Sequence, residues 1–211
     1  LANITVPVSI TPIAASNDAP APVSGISGGN DIINAFANDR LNGVAVVPAL
    51  INATITTPAA PKTPGAPVPV MDPATGLVDV PANTPAGAYV IAYEICENAN
   101  PTNCAPASVT VVVTAAPIAA APDAPAPVNG ITGGNDIINA FTNDMLNSLP
   151  LVPAEITATV TTPAAPKTPG APVPVMDPAS GLVDVPSGTP AGTYTIGYQI
   201  CETLNPANCA N

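Results

Sequence analysis

Four cysteines form two pairs of identical spacing, Cys96/Cys104 and Cys201/Cys209, each bracketing a polar stretch, ENANPTN or ETLNPAN. Structural zinc favours closer cysteine pairs and four ligands per site, so a local disulfide closing each loop is the expected chemistry. Stable disulfides imply an oxidising compartment outside the cytoplasm. The chain has no histidine, which removes the commonest general base and the commonest transition-metal ligand. Serine and threonine are plentiful, but none has a histidine or basic residue beside it to activate a hydroxyl. No catalytic residue is expected, and the chain is read as not an enzyme.

The remaining candidates are carboxylates, lysines and tyrosines. Asp18, Asp31, Asp39, Asp72 and Asp79 recur as Asp123, Asp136, Asp144, Asp177 and Asp184. Most stand beside Asn or Pro, where aspartate makes turns and caps. Calcium held between tandem units is the alternative use of these oxygens; no EF-hand loop or aspartate-rich linker is present, so neither a metal nor another cofactor is expected. Lys62 and Lys167, the only lysines, lie in proline-rich loops and are expected to be exposed. Tyr89 and Tyr194 follow Ala-Gly-X at the start of a long apolar strand. That placement resembles a tyrosine corner, a structural role in which the hydroxyl ties down the chain upstream.

Composition narrows the partners. With 3 basic and 14 acidic residues the net charge is −11, so nothing neutralises phosphates and nucleic acid is excluded as a partner. An anionic membrane would be repelled. No apolar run approaches the ~20 residues of a transmembrane helix, and membrane insertion is not expected. Hydrophobic residues make up 47% and charged residues 8%, enough for a core under a surface of Thr, Ser, Asn and Pro. Thirty prolines disfavour helix almost everywhere.

The elements that must position these residues repeat. The sequence recurs at an offset of 105 without insertion or deletion: Gly28–Phe36 returns as Gly133–Phe141, and Val68–Pro73 as Val173–Pro178. Two units of one fold are expected. Within the first, Ala14–Asp18 reads as a linker. Ala19–Val23, Asp31–Phe36, Ile51–Thr57, Val68–Met71, Leu77–Val80, Ala88–Cys96 and Ser108–Thr114 read as strands. Asp72–Gly76 is a hairpin loop. About seven short strands per unit indicate an antiparallel β-sandwich.

Asn38-Asp39 with Asn42-Gly43, Asp72-Pro73-Ala74-Thr75-Gly76, Thr84-Pro85-Ala86-Gly87-Ala88-Tyr89 and Tyr93-Glu94-Ile95-Cys96 resemble the tandem immunoglobulin-like repeats of large bacterial surface proteins and adhesins. The resemblance covers nearly the whole chain, twice. It implies an immunoglobulin-like sandwich at the cell surface or outside the cell, serving as a spacer or adhesive module.

One stretch fits neither repeat. In LANITVPVSITP, Ile4, Val6, Val8 and Ile10 alternate with polar residues, the mark of a strand with one buried face. They match Val109, Val111, Val113 and Ala115, which close the first repeat. The second repeat stops at Cys209-Ala210-Asn211. The chain thus carries a spare last strand at its front and lacks one at its end. Pro7 and Val112 both face outward, and a proline fits an edge position in the recipient sheet.

The expected architecture is all-β: a donor strand and linker over 1–16, an immunoglobulin-like repeat over 17–116, and a second over 117–211 lacking its last strand. The expected function is that of a structural subunit of an extracellular bacterial fibre. Its partners would be copies of itself, joined head to tail by donor strands. The alternatives are a two-repeat segment of a long adhesin stalk and a calcium-dependent adhesion module. A first residue of Leu rather than Met fits a processed chain or a piece of a longer one.

Overall fold

A computed structural model describes residues 2–211. The chain divides into two units, Leu1–Ala115 and Ala116–Asn211, and among the described residues nearly all regular structure is strand. Among the described residues no helix is long and apolar enough to cross a membrane.

In the first unit, β1 (Ile13–Ala14), β4 (Arg40–Leu41) and β5 (Val44–Ala45) form a small sheet. β3 (Gly29–Asn34), β8 (Leu77–Val80) and β7 (Val70–Met71) form a second. The third has the order β2 (Val23–Ser24), β10 (Asn100–Thr114), β9 (Gly87–Glu97), β6 (Ile51–Thr57). Pairing is antiparallel except between β2 and β10. The core lies between these sheets and holds Phe36, Met71, Val78, Val80, Tyr89, Ile91, Tyr93, Ile95, Val109, Val111 and Val113. Alternation produces it: in β9, Tyr89, Ile91, Tyr93 and Ile95 point inward at every second position while Val90 points out, as strand geometry requires.

The hairpin Asp72–Gly76 is closed by its own side chains. Asp72 Oδ1 accepts from Ala74 N at 2.9 Å and Oδ2 from the Thr75 hydroxyl at 2.8 Å. These bonds hold the carboxyl below its usual range. Gly76 has φ +77°, and a Cβ there would meet the Phe36 ring, so both conformation and space require glycine.

The leading segment differs from expectation. Thr11–Ser16 belongs to the first unit rather than to a linker. Asn103 Nδ2 donates to Thr11 O at 2.6 Å, Asn42 N to Pro12 O at 2.7 Å, and Ser16 N to Asp39 Oδ1 at 2.8 Å. Ile13–Ala14 pairs with Arg40–Leu41. The strand expected over Ala19–Val23 shrinks to Val23–Ser24, because Pro20 and Pro22 have no N–H to give a ladder.

The second unit repeats this plan with β11 (Ile118–Ala119), β12 (Gly134–Asn139), β13 (Met145–Leu146), β14 (Leu149–Pro150), β15 (Ile156–Thr162), β16 (Val175–Met176), β17 (Leu182–Val185), β18 (Gly197–Glu202) and β19 (Cys209–Ala210). Its sheets are β11-β13-β14, β12-β17-β16 and β15-β18-β19. The counterpart of β2 is missing, and the counterpart of β9 has lost its first half.

Candidate assembly groove

Both losses have one cause. In the first unit β10 lies between β2 and β9, with Val109 opposite Ile91, Val111 opposite Tyr89 and Val113 opposite Gly87. The positions matching Ala107–Thr114 fall beyond Asn211. Without that strand, residues 192–196 and 128–129 of the second unit have no ladder to join and are not strand. The side chains that β10 covers in the first unit are correspondingly uncovered in the second. Val78, Tyr89, Ile91 and Tyr93 are buried; Val183, Tyr194, Ile196 and Tyr198 are half-buried. Ile26 is half-buried, whereas its equivalent Ile131 is 82% exposed. The result is a half-covered apolar face flanked by two stretches that join no strand ladder.

Residues 2–10 form no strand, and their apolar side chains are in water: Ile4 is 91% exposed, Val6 72%, Val8 90% and Ile10 63%. At the 105-residue offset Ile4, Val6 and Val8 correspond to Val109, Val111 and Val113, all fully buried, and Ile10 to the half-buried Ala115. The position that Pro7 matches is outward-facing, as Val112 is 40% exposed, but β10 is not an edge strand: β2 flanks it. The edge expected from Pro7 is instead a local gap in the pairing of β10 with the preceding chain.

The other expected residues have structural settings. Cys96 is bonded to Cys104 and Cys201 to Cys209. Each pair sits directly across a strand pair, β9–β10 and β18–β19. The loop so closed folds around a carboxylate: Glu97 accepts from Asn100 and Asn103 at 3.0 and 2.9 Å, and Glu202 from Asn205 and Asn208 at 2.9 and 2.8 Å. Tyr89 Oη donates to Pro85 O at 2.7 Å and Tyr194 Oη to Pro190 O at 2.8 Å, the bond of a tyrosine corner. Lys62 donates to Ala88 O at 2.7 Å and lies 4.9 Å from the Tyr89 ring centre.

Sequence reasoning overlooked one cluster. Asp39 is fully buried, and its Oδ2 accepts from Tyr93 Oη at 3.1 Å; Tyr93 Oη also reaches Ala35 O. Asp18 lies beside it, with Oδ1 accepting from Asn38 Nδ2 at 3.0 Å and Oδ2 lacking a hydrogen-bond partner. Burial, then the nearby Asp39 charge, pushes the Asp18 carboxyl up to about 6; burial also raises Asp39. Tyr198 and Asp144 repeat the tyrosine bond at 3.0 Å. The clue was the constant spacing from each of these aspartates to a tyrosine in the long strand. The backbone of Asp18 grips β10 from the side, its N donating to Ser108 O and its O accepting from Thr110 N, both at 2.9 Å. Asp123 has no such strand beside it and is half-buried.

Among the described residues one triad, Glu94, Cys96 and Cys104, has potential metal-ligating atoms clustered together. Its two sulfurs are spent on the disulfide, and thiolates are what a metal needs.

No protein-family model and no curated protein matches this sequence. Among solved structures, the chain is similar to the human desmocollin-1 ectodomain, with 9% identity and a TM-score of 0.37 over 91% of this chain and 37% of that one. It is similar to mouse cadherin-23 EC22-24, with 12% identity and a TM-score of 0.35 over 96% and 63%. It is also similar to a SusE-like surface located polysaccharide binding protein from Bacteroides thetaiotaomicron, with 12% identity and a TM-score of 0.28 over 97% and 32%. The chain thus spans from a third to under two thirds of these proteins. Likeness this loose carries no information on ligand, partner or assembly.

Proposed function

We propose that this chain is a non-catalytic structural subunit of an extracellular fibre, and that copies join head to tail. Residues 2–10 of one copy enter the cleft of another copy's second unit and take the place that Ala107–Thr114 takes in the first. The observation that carries this is the match of two incomplete surfaces: an exposed strand sequence with Ile4, Val6 and Val8 on one face, and a cleft missing a strand of that pattern. Burying three aliphatic side chains contributes ~1.5–3 kcal/mol each before ordering costs, and backbone pairing removes two unsatisfied edges. Such a contact leaves a free strand at one end and a free cleft at the other, so it propagates. The disulfides favour an oxidising, extracellular location, and the bacterial cell surface follows from the adhesin-repeat resemblance alone.

A second reading keeps the cleft and changes the source of the strand. In a longer stalk, the strand would come from the next repeat along the same polypeptide. The indel-free offset, which runs from residue 2 through to Asn211, favours it. A synthetic peptide of residues 2–10 tests the cleft itself. On the proposal it binds the second unit and stops fibre growth; a peptide without effect on fibre length contradicts it. Intact mass separates the readings, since a fibre of this chain dissociates into single chains and a stalk does not.

A further inference from the structure

We infer that Pro7 sets the register of the inserted strand. The inference rests on the assembly proposed above. Apolar alternation alone is ambiguous: Ile4, Val6, Val8 and Ile10 are four similar aliphatic residues at equal spacing, so a shift by one residue turns them out of the cleft but a shift by two leaves a nearly equivalent apolar face.

The backbone of β10 resolves the ambiguity. Ser108, Thr110, Val112 and Thr114 direct their polar backbone groups toward the segment 17–25. Ser108 O and Thr110 N both bond Asp18. Pairing resumes at Val113↔Val23 and Thr114↔Ser24, and Gly25 N donates to Thr114 O at 2.9 Å. Between these two grips the facing chain is Ala19-Pro20-Ala21-Pro22, and Val112 is the residue that presents its N–H there. The second unit has the same facing stretch, Ala124-Pro125-Ala126-Pro127.

Pro7 falls at the Val112 position. A proline in the gap gives up an N–H for which the opposing chain has no acceptor in the ladder. Shifted by two residues, it would stand where Thr110 or Thr114 stands, opposite Asp123 or Val128, and would delete a ladder bond. One such bond is worth about 1 kcal/mol, or roughly fivefold in occupancy of the wrong register. Alternation disfavours odd shifts, and Pro7 disfavours even ones roughly fivefold.

Paired cysteines in the full chain test this. Thr5→Cys with Thr195→Cys opposes two thiols across the correct register, as Thr110 opposes Val90. Asn3→Cys with Thr195→Cys opposes them only after a two-residue slip. In fibres retaining Pro7, the first pair cross-links neighbouring chains on oxidation and the second does not. Adding Pro7→Val, which copies the residue of the first unit, raises slipped cross-linking roughly fivefold. If Pro7→Val leaves the slipped pair unlinked while the correct pair links normally, Pro7 has no register role and the assembly reading stands. If fibres form and neither pair links, both the inference and the assembly reading are overturned.

Discussion

Tyr89 and Tyr194 occupy equivalent places and make equivalent bonds, to Pro85 O at 2.7 Å and to Pro190 O at 2.8 Å, yet Tyr89 is 2% exposed and Tyr194 is half-buried. Local sequence builds the corner in both units; β10 seals it in only one. Tyr89→Phe removes a hydrogen bond in a dry setting and leaves a carbonyl unpaired, so it lowers the stability of the first unit by about 1–2 kcal/mol. Tyr194→Phe costs less in isolated chains, where water replaces the lost bond, and approaches the Tyr89→Phe cost within fibres. Denaturant unfolding of single chains and of fibres measures the difference.

Melting of isolated chains should show the same asymmetry. The first unit has a completed sheet, and the second leaves Val183, Tyr194, Ile196 and Tyr198 half-covered. Calorimetry should resolve two transitions, with the lower one belonging to the second unit. A peptide of residues 2–10 raises the lower transition and leaves the upper one in place, as a ligand specific for one folded unit must.

Asp18 gives the first unit a pH dependence of known sign. Its carboxyl is raised from 3.8 to about 6 by burial and by Asp39, so between those values the folded chain holds a proton that the unfolded chain has lost. The contribution of Asp18 to stability is therefore greatest below about 3.8, falls as pH rises through about 6, and is constant above that. Asp72, Glu97 and Asp177 are held below their usual range by hydrogen bonds and act in the opposite sense in acid. Asp18→Asn isolates the effect. It raises the melting temperature at pH 7.5, with the gain shrinking as pH falls through 6 and 5.

Each disulfide closes a short loop folded around one buried carboxylate, Glu97 or Glu202. On the entropic model so short a loop is worth about 2–3 kcal/mol. Cys96→Ser with Cys104→Ser should lower the unfolding free energy of the first unit by about that amount, and peptide mapping of the parent should recover only the Cys96–Cys104 and Cys201–Cys209 links.

How much of this was legible follows from how local each signal is. The hairpin at Asp72–Gly76 and the strands at Ile51–Thr57 and Leu77–Val80 are written in short-range alternation and turn residues. The first strands were not legible. The segment around Ile13–Ala14 belongs to the first sandwich because Asn103 and Asn42 donate to Thr11 O and Pro12 O and Asp39 accepts from Ser16 N, all distant in sequence, and the prolines at 20 and 22 break a stretch that composition alone presents as continuous. The Asp18–Asp39–Tyr93 cluster was hidden for the same reason, since its members come from different segments. The flanking of β10 by β2, which corrects the edge reading of Pro7, is likewise a fact of topology.

The most direct test of the account moves the strand from one end of the chain to the other. Because Asn211 falls just before the position matching Ala107, residues 2–10 can follow it without a linker. A variant lacking residues 1–10 at the front and carrying Ala2–Ile10 after Asn211 supplies its own missing strand and retains Thr11 and Pro12, which the first unit needs. Sedimentation velocity should find it wholly as a single-chain species that neither polymerises nor caps parent fibres, under conditions where the parent polymerises. Fibres of normal width from that variant would contradict the account.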